Sequence, residues 1–121
     1  MTHASPWSAL VAPALSSESV YRVDKFVVPP AALEGFLQQV QRVDAELGAL
    51  PGCAQNLVLI QQAQVGEDFQ IVTLVEWTSA QALRDAKALM QQRYAAQDFD
   101  PAAFMQQLGV RADLGTYREL P

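Results

Sequence analysis

Four successive large apolar residues, Leu57-Val58-Leu59-Ile60, stand in the middle of a segment that reads as a β-strand. Side chains alternate faces along a strand, so such a run is apolar on both sides. The next strand-like segment repeats the pattern. Phe69, Ile71, Thr73 and Val75 fall on one face and Val72, Leu74 and Glu76 on the other. An antiparallel sheet with one face in water alternates more cleanly than this. The fold must therefore cover both faces of its sheet.

The elements available for cover follow from the periodicity. Tyr21–Val28 reads as a first strand, with Tyr21, Val23, Lys25 and Val27 on one face and Arg22, Asp24, Phe26 and Val28 on the other. Pro29 and Pro30 end it, because proline cannot donate to a ladder. Leu33, Phe36, Leu37, Val40, Val43 and Leu47 then form the apolar stripe of a helix, with Gly48 as its stop. Leu50-Pro51-Gly52-Cys53 is a turn. Gln55–Gln64 and Phe69–Trp77 are the second and third strands, joined as a hairpin through Gly66-Glu67-Asp68. Thr78 reads as an N-cap, with Gln81 completing a capping box for a helix over 79–96 striped by Leu83, Ala86, Met90 and Tyr94. Asp100-Pro101 opens a short helix carrying Phe104, Met105 and Leu108 and stopped by Gly109. A last strand runs from Arg111 to Leu120, with Gly115 as a bulge.

Strand, helix, strand, strand, helix, short helix, strand is the order of an α+β, ferredoxin-like domain: a four-stranded antiparallel sheet with helices on one face. Helices on one face leave the other bare. The simplest cover is a second copy of the chain, sheet against sheet, and a homodimer is expected. The competing cover is the N-terminal arm, residues 1–19, together with the Pro101 helix. Residues 20–121 form the single expected domain, and the arm is either flexible or docked.

Composition removes several functions. Eight Lys and Arg against thirteen Asp and Glu give a net charge of −5, and the basic residues are scattered. That leaves no basic footprint for nucleic acid and no polybasic membrane patch. No apolar run approaches the roughly 20 residues of a membrane span. Met1 to Ser19 contains no Lys or Arg, so the apolar stretch Trp7–Leu15 lacks the positive start of a signal peptide, and a cytoplasmic protein is expected. Cys53 is the single cysteine and His3, in the arm, the single histidine, so neither a disulfide nor a multi-cysteine zinc site is expected. The six glycines are dispersed, which offers no phosphate-cradling loop.

The stretches "YRVDKFVVPP", "LPGCAQNLVLIQQ" and "IVTLVEWTSAQAL" resemble the antibiotic biosynthesis monooxygenase (ABM) superfamily over about residues 20–120. The Glu-Trp that closes a strand before Thr-Ser and a helix is the most typical piece. The resemblance implies a dimeric α+β barrel and, in the family's cofactor-independent oxygenases, oxidation of phenols and quinols without metal or flavin. Its heme-degrading members carry an Asn in the first strand and a Trp and a His in the second helix. Here Asp24 stands at the first place and Ala86 at the second, and heme iron would lack its axial ligand.

For oxygenase chemistry the protein must deprotonate, orient and desolvate an electron-rich aromatic. Asp24, mid-strand among apolar neighbours, is the candidate base, or else a carboxylate on an edge strand or paired with Lys25 or Arg118. Asn56 either hydrogen-bonds an oxygen species or serves the turn after Pro51-Gly52. Trp77 stacks on a ligand or anchors the core. Arg93 and Tyr94 line a pocket mouth, Arg93 holding an anion or else complementing the helix C-terminus. Met90 and Phe104 are pocket wall or core, and Tyr117 faces the pocket or the dimer. Two other classes remain open on the same residues: a non-catalytic ligand-binding or stress-response dimer, and a proton-transfer isomerase or decarboxylase.

Overall fold

A computed structural model describes residues 18–61 and 63–120. The sheet is built from β1 (Val20–Val28), β2 (Cys53–Ile60), β3 (Phe69–Trp77) and β4 (Arg111–Tyr117). It is covered by α1 (Leu33–Gly48), α2 (Ala80–Ala96) and α3 (Pro101–Leu108), and a 3-10 turn at Pro30–Ala32 leads into α1. The strand order is β2-β3-β1-β4 and every neighbouring pair is antiparallel. This is the ferredoxin-like arrangement that the element order implied.

Register decides which residues meet. β1 pairs with β3 through Val20↔Trp77, Arg22↔Val75, Asp24↔Thr73 and Phe26↔Ile71, and with β4 through Asp24↔Leu114 and Phe26↔Ala112. One face therefore carries Val20, Arg22, Asp24, Phe26 and Val28, flanked by Ile71, Thr73, Val75 and Trp77. All three helices pack on this face. Val20, Val75 and Trp77 form one core with Leu50, Ala86 and Met90; Val28 and Ile71 form a second with Ala32, Phe36 and Val110. Trp77, Ile71, Val20 and Val28 are sealed almost completely, each worth about 1.5–3 kcal/mol of burial. Phe104, Met105 and Leu108 of α3 join the second core. The Pro101 helix thus lies on the helical side and does not cover the opposite face.

That opposite face carries Val23, Leu57, Leu59, Val72 and Leu74 in adjacent register. Leu57 is 46% exposed and Leu59 51%, so the apolar surface legible in the sequence is bare in one chain. The arm expected over residues 1–19 lies outside the described residues except for Glu18 and Ser19.

Several boundaries differ from expectation for local reasons. β2 stops at Ile60 rather than Gln64, because a turn closes with Glu67 N–H donating to the Gln64 carbonyl at 3.1 Å. Gly66 takes a positive φ of 86° there, where glycine fits without strain. Gly48 is the last residue of α1, and Ala49 caps it in the right-handed region. A Cβ on Gly48 would come within 3.2 Å of the Asn56 amide nitrogen, so close approach explains this glycine. Ser79, not Thr78, is the N-cap of α2, its hydroxyl accepting from Ala82 N–H at 3.1 Å. Gln81 takes no part in a capping box and bonds Asp85 and Arg84 instead. Asp100 caps α3 as expected, accepting from the Ala102 and Ala103 N–H groups. β4 ends at Tyr117 and its pairing runs unbroken through Gly115, which is no bulge. Instead the Tyr117 ring lies where a side chain on Gly115 would stand. The irregularity falls in β2, between Cys53 and Gln55.

Candidate functional site

A cavity of about 720 Å³ opens between the sheet and its helices. Ligand sites of roughly 300–1,000 Å³ are the ordinary range for small molecules. Its floor is the helical face of the sheet: Arg22, Asp24 and Phe26 of β1, Thr73, Val75 and Trp77 of β3, and Leu114 of β4. α1 supplies Phe36, Gln39, Val40, Val43, Asp44 and Leu47, at helical spacing along one stripe. α2 supplies Leu83, Ala86, Lys87, Met90, Gln91 and Tyr94 in the same way. Phe99 and the start of α3 close one end.

The walls are largely apolar and the polar groups sit at defined points. The Arg22 Nε donates to Asp24 Oδ1 at 2.7 Å, and a quarter or less of either side chain is exposed. Both project from the same face of β1 because they are two residues apart. Thr73 lies directly across from Asp24. Tyr94, on the α2 wall, packs at a tilt against Phe99, which packs likewise on Phe104, with both centroid separations 5.4 Å. Burial pushes the Tyr94 phenol above its ordinary pKa, and the nearby Glu46 carboxylate adds to the shift.

The candidate residues divide sharply. Asp24, Trp77, Met90, Tyr94 and Phe104 line the cavity. Asp24 is on an interior strand, and its partner is Arg22 rather than Lys25 or Arg118. The apolar seclusion that favoured it as a base is replaced by a guanidinium contact. Trp77 combines both readings, being 2% exposed in the core and still on the cavity boundary. Asn56 does not line the cavity. Its amide donates to the Asp44 carbonyl at 2.8 Å and ties β2 to α1. Arg93 is also off the cavity, since it precedes Tyr94 and a helix turns about 100° per residue. Tyr117 shares the opposite face with Tyr21, its direct partner, and points away from the site. Cys53 lies at the start of β2, and burial, aided by Asp44, pushes its thiol pKa up, away from nucleophilic use.

Arg22, Thr73, Lys87 and Phe99 complete the site and were not singled out from the sequence. Arg22 was within reach: it shares Asp24's strand face. Lys87 falls in the stripe between Leu83 and Met90. Thr73 requires the register, which no single strand discloses. A second hollow, about 470 Å³, lies between the Leu50–Gly52 turn and the start of α2, but Asp85 is its sole titratable lining residue. Among the described residues no three His, Cys, Asp or Glu side chains cluster as metal ligands, and no helix is long and apolar enough to cross a membrane.

No protein-family model matches the chain, and no curated protein matches it. Solved structures do. A variant of SnoaB, a cofactor-independent oxygenase from Streptomyces nogalater, is 21% identical with a TM-score of 0.61; the match covers 86% of this chain and 95% of that one. A dimeric ferredoxin-like protein from an uncultured marine organism is 12% identical at a TM-score of 0.64, covering 85% and 96%. The chain shares their fold. A Deinococcus radiodurans structure, provisionally named as an antibiotic biosynthesis monooxygenase, is 16% identical at 0.64, covering 83% and 91%. At the level of fold, the resemblance to the ABM superfamily holds.

Proposed function

We propose that the cavity binds a small aromatic molecule and that the protein oxygenates it without metal or flavin. The observation that carries this reading is the shape and chemistry of the site: an apolar cavity of about 720 Å³ whose floor holds one arginine–carboxylate pair. An electron-rich phenolate or anthrone-type anion can itself reduce dioxygen. For a ring methylene the balance is CH2 + O2 → C=O + H2O, so one oxygen atom enters the carbon and the other leaves as water. The protein's part is to take a proton, hold the anion and exclude bulk water. Asp24 is the proton acceptor in this scheme and the neighbouring Arg22 offsets the charge that develops. That a fold neighbour is a cofactor-independent oxygenase supports the chemistry without fixing the substrate.

The functional unit in this proposal is a homodimer. The outward sheet face, with Leu57, Leu59, Val72 and Leu74, is too apolar for water, and none of the three helices covers it. A fold neighbour described as dimeric supports a second copy as the cover.

Screening phenols, hydroquinones and anthrone-like polycyclics with an oxygen electrode, and thermal shift in parallel, tests the reading. Oxygen uptake with no added metal or flavin is the expected result. Asp24→Asn should lower turnover by about 10²–10⁴ while ligand-induced stabilisation persists. Unchanged turnover in that variant removes Asp24 as the base. The Arg22 contact to Asp24 also favours a second reading, in which the carboxylate is a structural counter-ion and the dimer binds its ligand without turnover. Stabilisation without oxygen uptake by any compound would decide for it.

A further inference from the structure

The ion pair on the cavity floor leaves both terminal amino groups of the Arg22 guanidinium free of Asp24. Asp24 engages Arg22 through Nε alone, at 2.7 Å. Among the described residues no hydrogen-bond partner appears for the two terminal amino groups. An arginine pinned at Nε holds its plane fixed, and its remaining donors form a fork that matches a carboxylate or a pair of anionic oxygens. A quarter of the side chain is exposed, so an anion on the fork would be only partly screened by water. The other charged side chains on the cavity do not duplicate it. The Asp100 carboxylate is occupied at the start of α3, Asp44 repels anions, and Lys87 is an exposed point charge on α2.

We infer that Arg22 is the specificity-determining residue of the cavity and that the ligand is an aromatic acid. Its anionic group sits on the terminal amino groups of Arg22, and its rings lie against Phe26, Val75, Met90 and Leu114. The Asp24 side-chain oxygen fixes the guanidinium for this recognition, a contact that the Oδ1 kept in Asp24→Asn can still accept. The inference rests on the reading of the cavity as the ligand site and adds the charge of what enters it.

Isothermal titration of the full chain with 2-naphthoate and with 2-naphthamide, which match in shape and differ in charge, tests it. Naphthoate should bind about tenfold or more tightly, as a charge-assisted hydrogen bond predicts. Arg22→Gln should erase that gap by weakening naphthoate alone. The double variant Arg22→Gln/Asp24→Asn should do the same and leaves no unpaired half-buried charge to destabilise the chain. Lys87→Gln should keep the gap. Equal binding of the two probes to the unaltered chain, a gap surviving in the double variant, or a gap lost in Lys87→Gln would each overturn the inference. If neither probe binds while neutral phenols still drive oxygen uptake, the inference fails and the proposed function stands. If neither probe binds and no phenol is consumed, both fail.

Discussion

Tyr94 holds its proton more tightly than a free phenol because burial disfavours the phenolate and Glu46 repels it. Its pKa in the folded chain therefore lies above the ordinary 10.0. Stability from this group is complete below pH 10 and is lost as pH rises through the folded value, since the folded state then retains a proton that the unfolded state has released. Tyr94→Phe should flatten the fall of the urea midpoint on the alkaline side of pH 10, and a fall as steep as before would remove the assignment. At this scale the sequence was informative about faces and poor about partners. Alternation put Asp24 and Phe26 on one strand face together, and the structure has them so, on the helical side. The Arg22 contact to Asp24 lies within one strand face and was open to inference, whereas the bond from the Asn56 amide to a helix carbonyl depends on packing between elements. The sequence leaves Tyr117 facing either the pocket or a dimer, and pairing with Tyr21 puts it on the outward face.

The elements repeat one device at their ends. α2 and α3 both finish with a left-handed residue, Asp98 at φ 51° and Gly109 at φ 71°. In each case the following N–H reaches back into the helix, from Phe99 to the Tyr94 carbonyl and from Val110 to that of Met105, both at 2.9 Å. This is the Schellman arrangement, and at the end of α2 its customary apolar contact is present as the tilted Tyr94–Phe99 ring pair. Gly109→Ala places a Cβ in the left-handed region and should cost about 1–2 kcal/mol, read from the urea midpoint. The start of α2 gives a sharper comparison. Ser79→Ala removes the observed cap and should cost about 1 kcal/mol, whereas Thr78→Ala should stay within about 0.5 kcal/mol. A larger loss at Thr78 would reverse that assignment. Element existence and order were legible because 2.0 and 3.6 periods dominate the chain. Ends were less so, since Thr78 and Ser79 offer the same chemistry one residue apart and backbone geometry chooses between them.

At the scale of the whole molecule, the sheet separates two roles. One face holds the cavity and the other the apolar surface assigned to a second copy. Leu59→Arg puts a charge on the outward face, and sedimentation should then report a 13.2 kDa monomer where the unaltered chain gives twice that mass. A monomeric unaltered chain would end the dimer proposal and leave the cavity untouched. The double-sided apolar pattern was the clearest global signal in the sequence, because it counts surface that a single layer of helices cannot reach. The cavity itself was not visible there. It arises where three helices fail to fill the space over the polar middle of β1, a matter of volumes and not of pattern.

The alternation of β1 has a consequence for how such a chain can change over time. Substitutions in this strand alter one face at a time. A single inserted or deleted codon within it would do otherwise, turning Arg22 and Asp24 out onto the apolar face and Val23 in toward the cavity. Both faces would be disturbed in one event, while the turn at 64–67, outside the paired strands, could absorb the same change. Length variation among descendants of this chain should therefore gather at that turn and be missing from its central strand.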